Sequence, residues 1–446
     1  MPRPNLSRRD FVKASAAAAI TAPILGACSR SPLAAPVAVQ AAAYTAGSDQ
    51  IRIGLIGAGG RGTGATIEAL RADPGTVLVS VGDIFQDRAD SALAHIREEL
   101  KESAAAKVRV TPDSTFIGLD AYQKVIASGV DLVILTGYPG FRPEHLRAAV
   151  DAGKHVFAEK PLAVDSPGLR SVYESAAKAK QKNLALMVGL CWRHNAGMKA
   201  SFDKINSGAI GEIVSVHTTY HTGTLSRRPR QPNWSDLEFQ LRNWWHFNWL
   251  SGDHIVEQAI HSIDRGSWAM GDELPVKCEC LGGRAARSGP EHGNAFDHFF
   301  ATFEYASGGR AFPSCRQIDA CPHDNSDYIQ GTTGSAVVEG WRPIYRLKDR
   351  AGNVLWKHAG AIPDMYQSEH NALFASLRAG TPINDGQRAG NSTMLSLMAR
   401  QAAYTGQTIT WSKAMASTES IMPQNLDFAS DLPFAPIPIP GKTKFI

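Results

Sequence analysis

The sequence predicts an α/β chain of two domains, a doubly wound parallel sheet followed by an α+β domain on an open, largely antiparallel sheet. Three observations carry this. Ile51–Ile56 is an aliphatic strand that runs directly into Gly57-Ala-Gly-Gly-Arg-Gly62 and then into a helical pattern through Ile67 and Leu70. Strand and helix patterns alternate from there to about residue 190. Beyond Cys191, period-two strands follow one another with few helices between them. At 446 residues, 43% hydrophobic and 20% charged, the chain is too long for a single core once its leader is set aside.

Taken in order, the chain opens with Ser7-Arg8-Arg9-Asp10-Phe11-Val12-Lys13 and an apolar run from Ala14 to Ala27 that ends in small residues. A twin arginine before a mildly hydrophobic run is the pattern of a twin-arginine export signal. The run is shorter than the ~20 residues a membrane-spanning helix needs. Leu25-Gly26-Ala27-Cys28 resembles a bacterial lipobox. Either Cys28 becomes the lipidated first residue of the mature protein, or ordinary signal peptidase discards it. Residues 29–50 are rich in Ala, Pro and Ser without periodicity and read as a flexible linker. The expected organisation is a signal over 1–28, the linker over 29–50, a nucleotide-binding domain over 51–190, a substrate domain over 191–411 and a tail over 412–446. The expected location is the periplasm, with membrane attachment only through a lipid on Cys28.

The formal net charge of +4 is small for this length. The densest basic cluster, Arg227-Arg228-Pro229-Arg230, has no aromatic interleaving, so no nucleic-acid partner is expected. Of six cysteines, loss or lipidation of Cys28 leaves Cys191, Cys278, Cys280, Cys315 and Cys321, so at least one has no internal partner. Cys315, Cys321 and His323 are either core and loop residues or the sketch of a metal site, but their spacing matches no standard zinc pattern. No metal is expected.

In the first domain, Gly57 permits a tight turn, Gly59 lets backbone approach a pyrophosphate, and Gly62 lets the helix pack on its strand. Gly60 and Arg61 complete the turn, whose helical N–H groups face the phosphates. A second strand, Val77–Val81, ends near Asp83, 21 residues after Gly62, where a ribose-binding acid is expected. Its charge favours NAD over NADP, with Arg61 as the group able to offset it. Lys107–Val110 reads as a short strand, Leu119–Ala127 as helix, and Asp131–Leu135 as a buried strand ending in Thr136-Gly137-Tyr138-Pro139. A helix over Pro143–Ala152 closes at Gly153, and Lys154–Ala158 and Leu184–Val188 are the next strands.

Glu159-Lys160-Pro161 stands at the carboxyl end of one of these strands. With Gly57–Gly62, Thr136–Pro139, His145 and Ala152-Gly-Lys-His-Val156, it resembles the Gfo/Idh/MocA oxidoreductases, relatives of glucose–fructose oxidoreductase and inositol dehydrogenase. The resemblance runs from about Ile51 to about Thr410 and is most specific up to residue 164. It implies a Rossmann domain holding a dinucleotide against the turn, Asp83, Thr136, Tyr138, Pro139, His145, Glu159 and Lys160. It also implies that Lys160 reaches the reacting hydroxyl, where an ammonium steadies developing negative charge.

The second domain is read as strands over Glu212–His221, Val276–Leu281, His298–Tyr305, Gly309–Cys315 and Ala336–Glu339, with helices over Glu369–Ala379 and Gly390–Tyr404. Relatives pair through such a sheet, which implies a dimer or tetramer. One helix is expected over Gly252–Asp264, placing His254, Glu257 and His261 on one stripe. The resemblance implies an Asp four residues before a His here, and this chain has Glu257 before His261. A histidine near its ordinary pKa of about 6.5 is suited to take a hydroxyl proton, with the carboxylate orienting it. The stripe is otherwise a plain polar helix face, or a set of divalent-metal ligands. Trp244–Trp249 either packs the core or stacks sugar rings, with Trp245 and His246 as candidates. Arg193, His194, Asp253, His254, Tyr366 and His370 are further candidates for substrate contact.

The expected function is NAD-dependent oxidation of a carbohydrate or polyol hydroxyl by an exported enzyme whose cofactor, NAD rather than NADP, is recycled in place. A redox glycosidase, cleaving a glycosidic bond through transient oxidation, is the alternative. A sugar-binding scaffold without turnover is the rival from another class, and the intact Gly57, Gly59, Gly62, Asp83, Lys160 and His261 argue against it.

Overall fold

The computed structural model describes residues 50–429 and 431–446. The expected export signal, Cys28 and the linker up to residue 49 lie outside the described residues. The first sheet is built from β1 (Ile51–Ile56), β2 (Thr76–Asp83), β3 (Thr115–Ile117), β4 (Leu132–Leu135), β5 (His155–Ala158) and β6 (Leu186–Val188). They are paired in the order β3-β2-β1-β4-β5-β6, all parallel. The crossovers are α1 (Gly60–Ala72), α2 (Gln86–Leu100), α3 (Ala104–Lys107), α4 (Ala121–Ala127), α5 (Arg142–Asp151) and α6 (Ser166–Gln181). The aliphatic side chains of β1 and β4 are buried on both faces, as helices on both sides of a sheet require. Strand order reverses between β1 and β4, so the ends of these two strands border a crevice.

The short strand expected at Lys107–Val110 does not form. Lys107 instead closes α3, and its ammonium donates to the carbonyls of Leu70 and Asp73 and to Thr76 Oγ1 at 2.7–3.1 Å, meeting the negative end of α1. Val108 keeps one isolated bridge to Leu78, and the edge strand is β3.

After α7 (Ala196–Asn206) the second sheet begins with β7 (Ile213–Thr222). Then come α8 (Asp236–Arg242), α9 (Asn248–Ser251), α10 (His254–Glu257) and α11 (Ile260–Ala269). The remaining strands are β8 (Lys277–Gly283), β9 (His298–Glu304), β10 (Arg310–Gln317), β11 (Ser326–Gly331), β12 (Gly334–Glu339), β13 (Tyr345–Asp349), β14 (Val354–Lys357) and β15 (Ile409–Thr410). Helices α12 (Met365–Arg378), α13 (Gly386–Thr405) and α14 (Trp411–Ala416) flank these strands. The order is β14-β13-β12-β11-β7-β10-β9-β8-β15, antiparallel except for β7 beside β10. Alternation along β7 sends Val216, Thr218 and Tyr220 toward the helices. His217 and His221 lie on the open face, where both bond Ser314 Oγ of β10 at 3.1 and 3.0 Å.

Two segments cross the boundary drawn from sequence. Helix α12 packs back on α1, burying Leu373, Phe374 and Leu377 in the first domain's core, with Arg378 gripping Asp73 at 2.7 and 2.8 Å. The tail joins a third core, where Phe434 stacks on Phe239 and Met422 packs against Gly140. Among the described residues no helix is long and apolar enough to cross a membrane.

Candidate active site

The crevice between β1 and β4 is shaped by the glycine turn. Gly57 sits at φ +95°, and a side chain there would run into the Gly137 backbone; one at Gly62 would run into the Gly57 carbonyl. Gly60 faces open space, and at Gly59 the nearest group is the Arg88 guanidinium, 3.4 Å from where a Cβ would stand. Thr136 Oγ1 donates to the Gly57 carbonyl at 2.7 Å and ties the end of β4 to the turn. An open floor at Gly59 and Gly60, closed to side chains at its edges and set at the start of α1, fits a dinucleotide pyrophosphate.

Gly57, Gly59, Gly60, Arg61, Gly62, Asp83, Thr136, Tyr138 and His145 line one cavity, and Pro139 is buried behind it. Asp83 accepts from Ala58 N–H at 2.6 Å and Phe85 N–H at 2.9 Å, and burial raises its carboxyl pKa. His145 is stacked between Tyr122 and Phe141, and burial with the Arg142 charge pushes its imidazole down to about 3. The far wall comes from the second domain: Ser226, Arg228, Arg242, Trp244 and Trp245 close over the same cavity. Trp245, open in the sequence between core packing and sugar stacking, lines the nucleotide crevice, stacked 3.8 Å from Trp244.

Arg61 is not the counter-charge of Asp83. Its guanidinium binds Glu159 at 2.5 Å, Glu68 at 2.8 Å and Glu369 at 3.1 Å, and lies over the Tyr366 ring at 4.7 Å. Arg88, five residues after Asp83, is the arginine on that side of the cavity. The other oxygen of Glu159 accepts from Lys160 N–H at 3.0 Å, so the turn at the end of β5 is fixed to the glycine turn through one guanidinium.

Lys160, Glu257 and His261 come together. Lys160 Nζ donates to Glu257 Oε1 at 2.8 Å and to the Glu257 carbonyl at 2.6 Å. The expected single helix is broken: α10 ends at Glu257 and α11 begins at Ile260. The break turns His261 toward the Lys160 charge, with its ring parallel to Tyr220 at 6.4 Å and edge-on to Trp192 at 6.3 Å. Its Nδ1 has no hydrogen-bond partner among the described residues. Burial first, and then the Lys160 charge, hold the imidazole well below its ordinary value, so the unshifted histidine expected from sequence is corrected. Glu257 holds the lysine rather than the histidine.

The same break separates His254 from the stripe. It is buried against Phe299 at 5.5 Å, near Arg287 and Asp297, and neither ring nitrogen has a partner among the described residues. The metal alternative therefore loses its geometry. Asp253 is structural: it accepts from Tyr404 OH at 2.5 Å, Phe296 N–H at 2.8 Å and His254 N–H at 2.6 Å. His246 is fully buried beside His292, and burial lowers its pKa to about 3. Arg193 is committed to Asp264 and Asp272 at 2.6–3.0 Å and stacks on Trp268. Asp264 is thereby held at about 2 against the upward push of burial. His194 lies beside Asp385 and Arg388, and His370 packs on Phe157 near Glu68. Arg193 and Asp253 are thus engaged in structural contacts, His246, His254 and His370 are buried, and His194 is half-buried. Tyr366 borders the Arg61 cluster and lies beside Cys191.

Sequence reasoning missed Arg88, Arg242, Trp192 and Tyr220. Only two of these left a signal: Arg88 closely follows the ribose acid, and the alternation of β7 puts Tyr220 on the helix side.

Residues 51–190 match the family model described as an oxidoreductase family with an NAD-binding Rossmann fold, and residues 202–337 match the Gfo/Idh/MocA C-terminal domain. Inositol 2-dehydrogenase 3 of Saccharopolyspora erythraea is 28% identical over 261 residues, 58% of this chain and 64% of that protein, just under two thirds of its length. Inositol 2-dehydrogenase of Serratia proteamaculans is 25% identical over 290 residues, 64% of this chain and 73% of that protein. Among solved structures, a levoglucosan dehydrogenase complexed with NADH and levoglucosan aligns at a TM-score of 0.63 and 18% identity, covering 81% of this chain and 99% of that one. Aldose–aldose oxidoreductase of Caulobacter crescentus aligns at 0.62 and 18%, with the same coverage. At these identities the structures show a shared fold. With both of its halves matched, over more than half of its length in all, the chain belongs to the Gfo/Idh/MocA oxidoreductase family.

Proposed function

We propose that this protein oxidises a ring hydroxyl of a carbohydrate or polyol with NAD. The observation that carries the reading is the meeting of Lys160, Glu257 and His261 at the end of β5, one residue from the Glu159–Arg61 contact that borders the nucleotide crevice. Bound in that crevice, a nicotinamide supplies hydride acceptance. His261, kept neutral, is a proton acceptor for the hydroxyl. Lys160 has three N–H donors, of which two go to Glu257, leaving one to steady the alkoxide oxygen. Glu257 holds the ammonium in place. Asp83 favours NAD, since its carboxylate, held by Ala58 N–H of the turn and by Phe85 N–H, lines the crevice and a 2′-phosphate would meet its charge. The names of the relatives, inositol dehydrogenases, support oxidation rather than the redox-glycosidase alternative.

The test of the chemistry is Lys160→Met and His261→Ala. Each is expected to reduce turnover at least ~100-fold with bound nucleotide near normal. Near-wild-type turnover in either variant removes that residue from the mechanism.

The twin-arginine pattern at Arg8-Arg9 suits export of a folded protein with its nucleotide already bound, and the space outside the inner membrane holds no appreciable nicotinamide pool. The wall formed by Ser226, Arg228, Arg242, Trp244 and Trp245 supports tight retention, and a second carbonyl substrate would return the hydride. Desalted protein should turn over sugar and carbonyl acceptor without added nucleotide. Protein that is empty after desalting and works only with NAD supplied continuously would defeat this part of the reading.

A further inference from the structure

A line of aromatic rings leads from the candidate catalytic histidine to solvent. Tyr220 lies parallel to His261 at 6.4 Å; Trp341 meets Tyr220 edge-on at 5.9 Å; His323 flanks Trp341 at 6.3 Å. Exposure rises along the line, from 8% at His261 and 9% at Tyr220 to 47% at Trp341. Tyr220 points to the helix side of β7, so its contact with Trp341 places that indole on the catalytic side and not on the open sheet face. The Tyr220 hydroxyl makes no side-chain or backbone hydrogen bond among the described residues. Arg342, next in sequence, is held by Glu339 at 2.5 Å and leaves the indole uncovered.

The platform is also anchored. Arg265, one turn after His261 on α11, donates to Asn325 Oδ1 at 2.6 Å and to Asp327 at 2.7 Å. The Asn325 carbonyl accepts from Gly340 N–H at 2.6 Å, directly before Trp341. A side chain at Gly340 would collide with the Asn325 amide, so only glycine lets the turn sit this close. One buried arginine therefore ties the backbone just before Trp341 to the helix that carries the histidine.

We propose that Trp341, with Tyr220 and His323, is a binding platform for a second ring linked to the one that is oxidised, so that the substrate class is a glycoside or oligosaccharide rather than a free cyclitol or monosaccharide. The proposal rests on the reading that Lys160, Glu257 and His261 hold the reacting carbinol. Aromatic faces stack on the C–H faces of sugar rings, and a half-exposed indole packed edge-on against Tyr220 offers such a face. A reacting ring held at His261 leaves the next ring of the same molecule two aromatic steps outward, at Trp341.

The experiment compares wild type with Trp341→Ala on glucose, galactose and N-acetylglucosamine, each against its phenyl β-glycoside and its β-linked disaccharide. Wild type should show a lower KM for at least one glycoside than for its free sugar. Trp341→Ala should shrink that preference about five- to tenfold in the ratio of kcat/KM values. Saturation-transfer NMR of the same glycosides is recorded in parallel. It should show aglycone or outer-ring protons in contact with wild type, and a weakened signal in the variant. If no sugar is turned over but the NMR difference persists, the platform stands and the catalytic reading fails. Equal treatment of free sugars and glycosides by wild type, or a ratio and an NMR signal that Trp341→Ala leaves unmoved, overturns the platform.

Discussion

The chemistry of this protein is set by what single charges are allowed to do in a buried place. His261 would be half-protonated near pH 6.5 in water. Burial, reinforced by the Lys160 charge, holds it well below that value. Its neutral form is the proton acceptor, so the rate of sugar oxidation should stay level as pH falls through 6.5 and decline only further down. A pH profile of kcat/KM checks this, and an acid limb at or above 6.5 would take the role from His261. Arg61 makes the second case. It is the common partner of Glu68, Glu159 and the fully buried Glu369, whose carboxyl burial pushes well above its ordinary range. Arg61→Met leaves those acids uncompensated and should cost about 3–5 kcal/mol, read as a lower urea midpoint. It should also lower kcat, because Glu159 loses its hold on the Lys160 backbone.

At the scale of elements, two features matter: the break between α10 and α11, and the cover over the nucleotide. The break was not legible in the sequence. Gly252–Asp264 carries a fair helical pattern, and local propensity alone favours one helix. The Lys160 ammonium takes the Glu257 carbonyl, which an uninterrupted helix would use for His261 N–H, and so the helix ends there. The cover joins the turn around Arg228 to Trp244 and Trp245, which the sequence left open between core and sugar stacking. Arg228→Ala and Trp245→Ala are expected to speed nucleotide release by roughly tenfold, since each removes a charged or stacking contact. Loss of bound nucleotide during gel filtration reads this out, and retention equal to wild type in both variants would show that the wall does not hold the cofactor.

For the whole molecule, the open face of the nine-stranded sheet carries an oblique row of Leu281, Phe300 and Tyr328 at 78, 44 and 40% exposure, with Leu281 opposite Phe300 and with Phe300 and Tyr328 flanking His217. Two copies joined through this row should give a solution mass twice that of the chain or a multiple of it. Leu281→Glu with Phe300→Glu should yield a monomer, measured by light scattering. The first domain was the more legible half. A fully buried parallel strand must be aliphatic, and a dinucleotide turn must be glycine, so β1, β4 and Gly57–Gly62 declare themselves locally. In the second sheet, β11 and β13 are rich in polar and charged residues and β14 has only four residues, so none of them left a clear signal. What the sequence by itself determined is therefore whatever depends on near neighbours: the first sheet's strands, the glycine turn, and the presence of Lys160 and His261. The tertiary structure alone decided which of many histidines and acids face one another. Arg193 and Asp253 looked as eligible as His261, but contacts distant in sequence turned them into struts, and an ion pair between residues 97 apart made Lys160 and Glu257 a site.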